Sequence, residues 1–220
     1  YAIVTGYNDD GVQIIDISDP ANITTTDSMD NDGAGVPNLG GAYGVDTFVI
    51  GSSTYAIVAA PTSDHVQIID ISDPTNIVAK DSATDDDADE ETEFDELNGA
   101  QDVETFTIGS STYAIVASNV DDGVQIIDIS DVDNIVAKDS VTDGDAGGFD
   151  ELDGARGVET FIINSVVYAI VAGNIDDGVQ MVELGNCASS DCVYTEAAAS
   201  VSGSTSSTCA RLVILGNCGT

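Results

Sequence analysis

Basic residues are nearly missing from this chain: four lysines and arginines stand against 40 aspartates and glutamates in 220 residues, a formal net charge of −36. That balance excludes nucleic-acid binding, and adhesion to anionic lipid, by simple attraction. It implies high salt, bound divalent cations or a need for mutual repulsion. Histidine occurs once, at His65, and no Ser or Cys nucleophile is set beside it by a recognisable motif, so no catalytic residue and no enzyme activity is expected. No stretch is long and apolar enough to cross a membrane, no leader is visible, and the absence of an initiating Met suggests a processed or partial chain. Helical periodicity is hardly visible anywhere. Cysteine is confined to the last 34 residues, at Cys187, Cys192, Cys209 and Cys218, without Cys-x-x-Cys spacing or a nearby histidine. That argues against zinc and for two disulfides in an oxidising setting. Cys192–Cys218 with Cys187–Cys209 is the preferred pairing among three possible ones.

What is present is repetition. Tyr1-Ala2-Ile3-Val4 returns at Tyr55, Tyr113 and Tyr168, at intervals of 54, 58 and 55 residues. Each copy leads through a polar loop such as Asn8-Asp9-Asp10-Gly11 into Val-Gln-Ile-Ile-Asp-Ile-Ser-Asp, at Val12, Val66 and Val124, with a degenerate fourth version from Val179 to Leu184. Two β-branched runs split by an Asp-Gly turn predict a hairpin. A third strand follows the Asp73-Pro74-Thr75 turn, and a fourth precedes each later Tyr-Ala-Ile-Val. The unit is four antiparallel strands, apolar on both faces, the size of one propeller blade stacked between two others. A hydrophobic content of 42% and a mean hydropathy of +0.09 are those of a globular chain.

The pattern Tyr-Ala-Ile-Val, Asp-Gly-Val-Gln-Ile-Ile-Asp-Ile-Ser-Asp-Pro, Asn-Ile resembles the LVIVD-repeat family of bacterial and archaeal surface proteins. The resemblance covers residues 1 to about 184 and implies a β-propeller and an extracellular or cell-surface location, without a common chemistry. The expected fold is all-β, a propeller of four four-stranded blades over residues 1–184, with a disulfide-bearing tail over 185–220. No inner strand precedes Tyr1, and Cys209–Leu215 aligns with Gly154–Thr160, so the carboxyl-terminal strand is expected to complete the first blade, and Val193–Ala198 the last. The donor is either the same chain, closing a ring, or a neighbour, building a head-to-tail filament.

Three sets of side chains are candidates for binding. The loops before the inner strands carry Asp30, Asp32, Asp85, Asp87, Asp89, Asp143, Asp145 and Asp150, which either wrap Ca²⁺, the only cofactor expected, or form a solvated acidic surface. None matches an EF-hand. Tyr43, Gln101, Arg156 and Arg211 share one repeat position at the start of the inner strand and are placed to ring one axial mouth, suiting a sugar or carboxylate; the alternative is an internal ion pair such as Arg156 with Glu159. Asn22-Ile23-Thr24 is a glycosylation sequon. Together these predict a structural or adhesive surface module whose partners are copies of itself, other surface proteins or glycans. The alternative is a lectin-like, small-ligand-binding propeller.

Overall fold

The computed structural model describes residues 1–31, 38–85 and 94–185, together with the backbone of 210 and 211. Among these residues there is no helix, and the strands form four separate sheets. The first is β1 (Ala2–Gly6), β2 (Gly11–Asp16) and β3 (Thr24–Asp30); the second runs β4 (Val45–Ile50), β5 (Ser53–Ala60), β6 (His65–Asp70), β7 (Val78–Thr84). The third repeats this order with β8 (Ala100–Ile108), β9 (Ser111–Ser118), β10 (Gly123–Asp128) and β11 (Val136–Thr142). The fourth holds β12 (Ala155–Ile163), β13 (Val166–Gly173), β14 (Gly178–Gly185) and β15 (Ala210–Arg211). The fold is all-β and propeller-like.

Local chemistry sets the hairpins. Asp10, Asp64, Asp122 and Asp177 all sit at φ between 50 and 56°, where aspartate is among the few tolerated non-glycine residues, and each turns an inner hairpin. Gly51 and Gly109, both at φ 64°, supply the left-handed residue between β4 and β5 and between β8 and β9; in the fourth sheet Asn164 and Ser165 do so together. At the ends of β2, β6 and β10 the recurring Asp16, Asp70 and Asp128 cap the turn that follows, accepting from the backbone N–H of Ser18, Ser72 and Ser130 at 2.9–3.0 Å. The Ser18 bonds hold the Asp16 carboxyl below its usual range.

Successive sheets pack front to back, the front being the face toward the following sheet. Tyr55, Ile57, Val66 and Ile68 on the front of the second sheet meet Ala114, Val116 and Ile127 on the back of the third. Tyr113, Ile115, Val124 and Ile126 meet Ala169, Val171 and Val182 in the same way. Val12 and Ile14 meet Val58 and Ile69. In the second and third sheets Ile57, Ile68, Ile115 and Ile126 on the front and Val58, Ile69, Val116 and Ile127 on the back are all fully buried, so the run read as apolar on both faces serves two interfaces in each of these sheets.

Carboxylates link the same interfaces. Asp10, Asp64 and Asp122 accept from the N–H of Gly41, Gly99 and Gly154 at 2.7–2.8 Å, each in the next repeat. Asp27 and Asp81 accept from Ile77 and Ile135 at 2.8 and 2.9 Å. Along the inner strands, Asp46 and Asp102 accept from Thr105 and Val158 at 2.8 and 3.0 Å. Many of the acidic residues are therefore joints between repeats.

Closure of the first sheet by the chain's own tail is not seen among the described residues. The first sheet is three-stranded, and Ala210–Arg211 run parallel to β14, pairing with Val182 and Glu183, not beside β1. The fourth repeat lacks the Asp-Ile-Ser-Asp-Pro turn that would return an antiparallel strand, so the outer edge of β14 is open to the tail. Val193–Ala198 lies outside the described residues.

Candidate functional site

The sequence-predicted axial residues share a backbone feature. In β8 the register jumps from Ala100 to Asp102 and in β12 from Ala155 to Gly157, so Gln101 and Arg156 are bulge residues. Tyr43 and Gly44 both bond Ala59, at 2.9 Å each, the same two-against-one pattern. Bulges re-aim a side chain out of the pleat. Tyr43 and Arg156 are exposed and Gln101 is half-buried. Gly44 N–H donates to Gln101 O at 3.1 Å, tying neighbouring inner strands together, and Thr5 Oγ1 donates to Tyr43 O at 2.6 Å. Tyr43 meets Tyr7 edge-on at 6.2 Å.

Arg211 does not join this group. Its backbone pairs with Glu183 on the outer side of the fourth sheet, three strands from β12. The ion pair expected between Arg156 and Glu159 is not made; among the described residues the ion pairs are Lys80–Asp133 at 3.1 Å and Lys138–Asp128 at 3.3 Å. Lys80 and Lys138 also stand where β7 and β11 bulge.

Three of the described loop aspartates accept backbone N–H groups. Asp85 Oδ2 accepts from Leu97 and Asn98 at 3.1 and 2.9 Å, Asp143 from Leu152 at 3.2 Å and Asp145 from Thr142 at 3.0 Å. Asp30 ends β3 opposite Gly11, and Asp150 is exposed. Asp32, Asp87 and Asp89 lie outside the described residues. Among those described, no three His, Cys, Asp or Glu side chains are placed to share a metal ion. The four cysteines also fall outside. Asn22 is exposed in the turn its N–H closes onto Asp19 O, at 2.9 Å. The His65 ring contacts the Ser63 carbonyl two residues away, a local contact that aligns no nucleophile.

Sequence reasoning passed over Glu96. Its Oε2 is buried without a hydrogen-bond partner, close over Gly123, where a Cβ would meet it at 2.9 Å. Burial first, then Asp121, Asp95, Asp145 and Asp85, push its carboxyl up to about 8. Burial and Asp46, Glu159 and Asp102 likewise push Glu104, on the inner strand, up to about 7. The available signal was the recurrence of Glu96-Leu97 as Glu151-Leu152, whose counterpart is Asn38-Leu39. An acid raised in the folded state binds more protons folded than unfolded, so its stability contribution is full below its ordinary value of 4.5 and is lost as pH climbs through about 8. Glu96→Gln is therefore expected to stabilise the protein at pH ~9 by about 2 kcal/mol after discounting for partial exposure, and to change little near pH ~4. Urea unfolding at both pH values checks this.

No family model and no curated protein matches the chain. Among solved structures, a protein from Lactobacillus plantarum is similar at 16% identity and a TM-score of 0.52, covering 81% of this chain and 52% of its own. The chain thus spans about half the length of that protein. An exo-beta-1,3-galactanase from Phanerochaete chrysosporium aligns at 12% identity and TM-score 0.46 over 74% of this chain and 37% of its own. A GH43 beta-1,3-galactosidase aligns at 11% and 0.45, over 80% and 40%. Likeness at this level concerns the fold alone and carries no reaction with it.

Proposed function

We propose that the protein is a structural module of an extracellular surface that links to further copies by accepting a β-strand along β1. One observation carries this reading. Among the described residues β1, the counterpart of β5, β9 and β13, is an edge strand of a three-stranded sheet, and its open edge is the one that β4, β8 and β12 cover in the other three sheets. Unpaired strand edges template association. In those sheets an inner-strand phenylalanine stacks on the repeated tyrosine, Phe48 on Tyr55 and Phe106 on Tyr113 at 5.5 Å and Phe161 on Tyr168 at 5.8 Å, whereas Tyr1 is 66% exposed. The resemblance to LVIVD-repeat surface proteins and the exposed Asn22 sequon support the location. The proposed donor is the carboxyl-terminal segment of a neighbour, because Cys209–Leu215 matches in residue type the start of the inner strand at Gly154–Thr160.

A synthetic peptide of residues 209–215 bearing Cys209→Ser tests this. Hydrogen exchange at Ala2–Gly6 is expected to slow by at least ~10-fold on saturation with one peptide per chain. Unchanged exchange there contradicts the reading. The bulged trio of Tyr43, Gln101 and Arg156 favours the lectin-like alternative. Glycan-array binding by the native protein that disappears in Arg156→Ala supports it, and an array without signal removes it.

A further inference from the structure

Each sheet interface uses a repeated front and a repeated back, and the chain makes that match three times. Among the described residues, one half of the match is left over at each end. On the front of the fourth sheet, Ile170 is 38% and Val179 56% exposed, whereas Ile57, Ile115, Val66 and Val124, which hold the same repeat positions, are all at 0%. On the back of the first sheet, Val4 is 47% and Ile23 58% exposed; their equivalents Val58 and Val116 are at 0%, Ile77 at 8% and Ile135 at 7%. Gln13 is exposed as well, although Gln67, Gln125 and Gln180 are buried on the back of the other sheets.

The polar joints end in the same places. The Ile77 and Ile135 N–H groups donate to Asp27 and Asp81 of the preceding repeat, and Ile23 N–H is their counterpart on the first sheet. Asp177 has the φ of Asp10, Asp64 and Asp122, and would offer its carboxylate to whatever follows the fourth sheet.

We infer that the front face of the fourth sheet binds the back face of the first sheet of a second copy, in the geometry that already joins successive sheets within the chain. The inference rests on reading the protein as an assembly-forming module and names the surface and the partner. A second copy is the occupant because the two open faces are the unused halves of an interface whose fit the same residue types display internally. Front and back are different surfaces, so the contact is heterologous and can propagate from copy to copy. Each copy carries a charge of −36, so long-range repulsion opposes the contact until salt screens it.

The experiment is a mixing test by sedimentation at ~1 M NaCl, where screening is nearly complete beyond ~3 Å. Native protein is expected to grow beyond its 22.5 kDa monomer with concentration, and less so at low salt. Ile23→Asp spoils the back and Val179→Asp the front, each weakening self-association at least ~30-fold. Mixed together, the two variants are expected to form a two-chain species and stop there, since one keeps a sound front and the other a sound back. Both positions are exposed, and unchanged thermal unfolding confirms that the variants fold. A native protein that stays monomeric at high salt, single variants that still polymerise, or a mixture that forms no pair each overturns the inference. Binding of the 209–215 peptide at β1 is independent of both substitutions. Pairing without peptide protection therefore sinks only the strand-donation reading, and peptide protection without pairing sinks only this one.

Discussion

Ile115→Ala is expected to lower the unfolding free energy by about 3–4 kcal/mol, while Ile170→Ala, the same change at the same repeat position, costs about 1 kcal/mol. Ile115 lies midway along β9, fully buried between the third and fourth sheets. Truncating it removes buried methyl groups and leaves a cavity walled by two sheets whose backbones are fixed by their own ladders, so little collapse can follow. Ile170 is 38% exposed, and solvent fills the space that its side chain vacates. Urea unfolding of the two variants measures the contrast. Equal costs would show that something covers the front of the fourth sheet in the isolated chain.

The joints between repeats give the second large effect. Asp122→Ala is expected to cost about 2–3 kcal/mol more than Asp177→Ala. Both aspartates turn an inner hairpin at nearly the same φ, 56 and 55°, so the penalty for placing alanine in the left-handed region is common to the pair and cancels. What differs is the bond from Gly154 N–H to Asp122 Oδ1, 2.8 Å long and part-buried. A charge-assisted bond contributes about 1.5–3 kcal/mol, and its loss leaves a buried donor unsatisfied. Comparable losses in the two variants, by chemical denaturation, would contradict the role given to Asp122.

Much of this architecture is written plainly in the sequence, because repetition exposes which positions matter. The Tyr-Ala-Ile-Val and Val-Gln-Ile-Ile runs predict strands apolar on both faces, and β5, β6, β9 and β10 bury both faces as that pattern requires. The Asp-Gly turns and the Asp-Ile-Ser-Asp caps follow from local backbone chemistry, which reads well from a short window. The second function of the turn aspartates was hidden. That Asp122 reaches Gly154 depends on the stagger of one sheet on the next, which no single repeat encodes. The same holds for Asp85 and Asp143, read either as calcium ligands or as part of a solvated acidic surface: that Leu97, Asn98 and Leu152 donate their N–H groups to them was not visible in either reading.

The tail shows a different limit. Aligning Cys209–Leu215 with an inner strand compared residue types, and Arg211 then fell beside Arg156 by repeat position. Position in a repeat guarantees position in space only while the chain keeps its turns. The fourth copy has lost the turn after Leu184, so the alignment no longer fixes which edge the segment meets. Glu96 escaped for a related reason, since its burial under a hairpin comes from the close approach that Gly123 permits.

Hydroxyl-radical footprinting of the dilute monomer at low salt tests the central claim most directly, that three repeated interfaces leave one front and one back uncovered. Val4, Ile23, Ile170 and Val179 are expected to oxidise readily, while Val58, Ile77, Ile115 and Val124 stay protected. Protection of all eight alike would mean that the first and fourth sheets cover each other, and the open arc described here would be wrong.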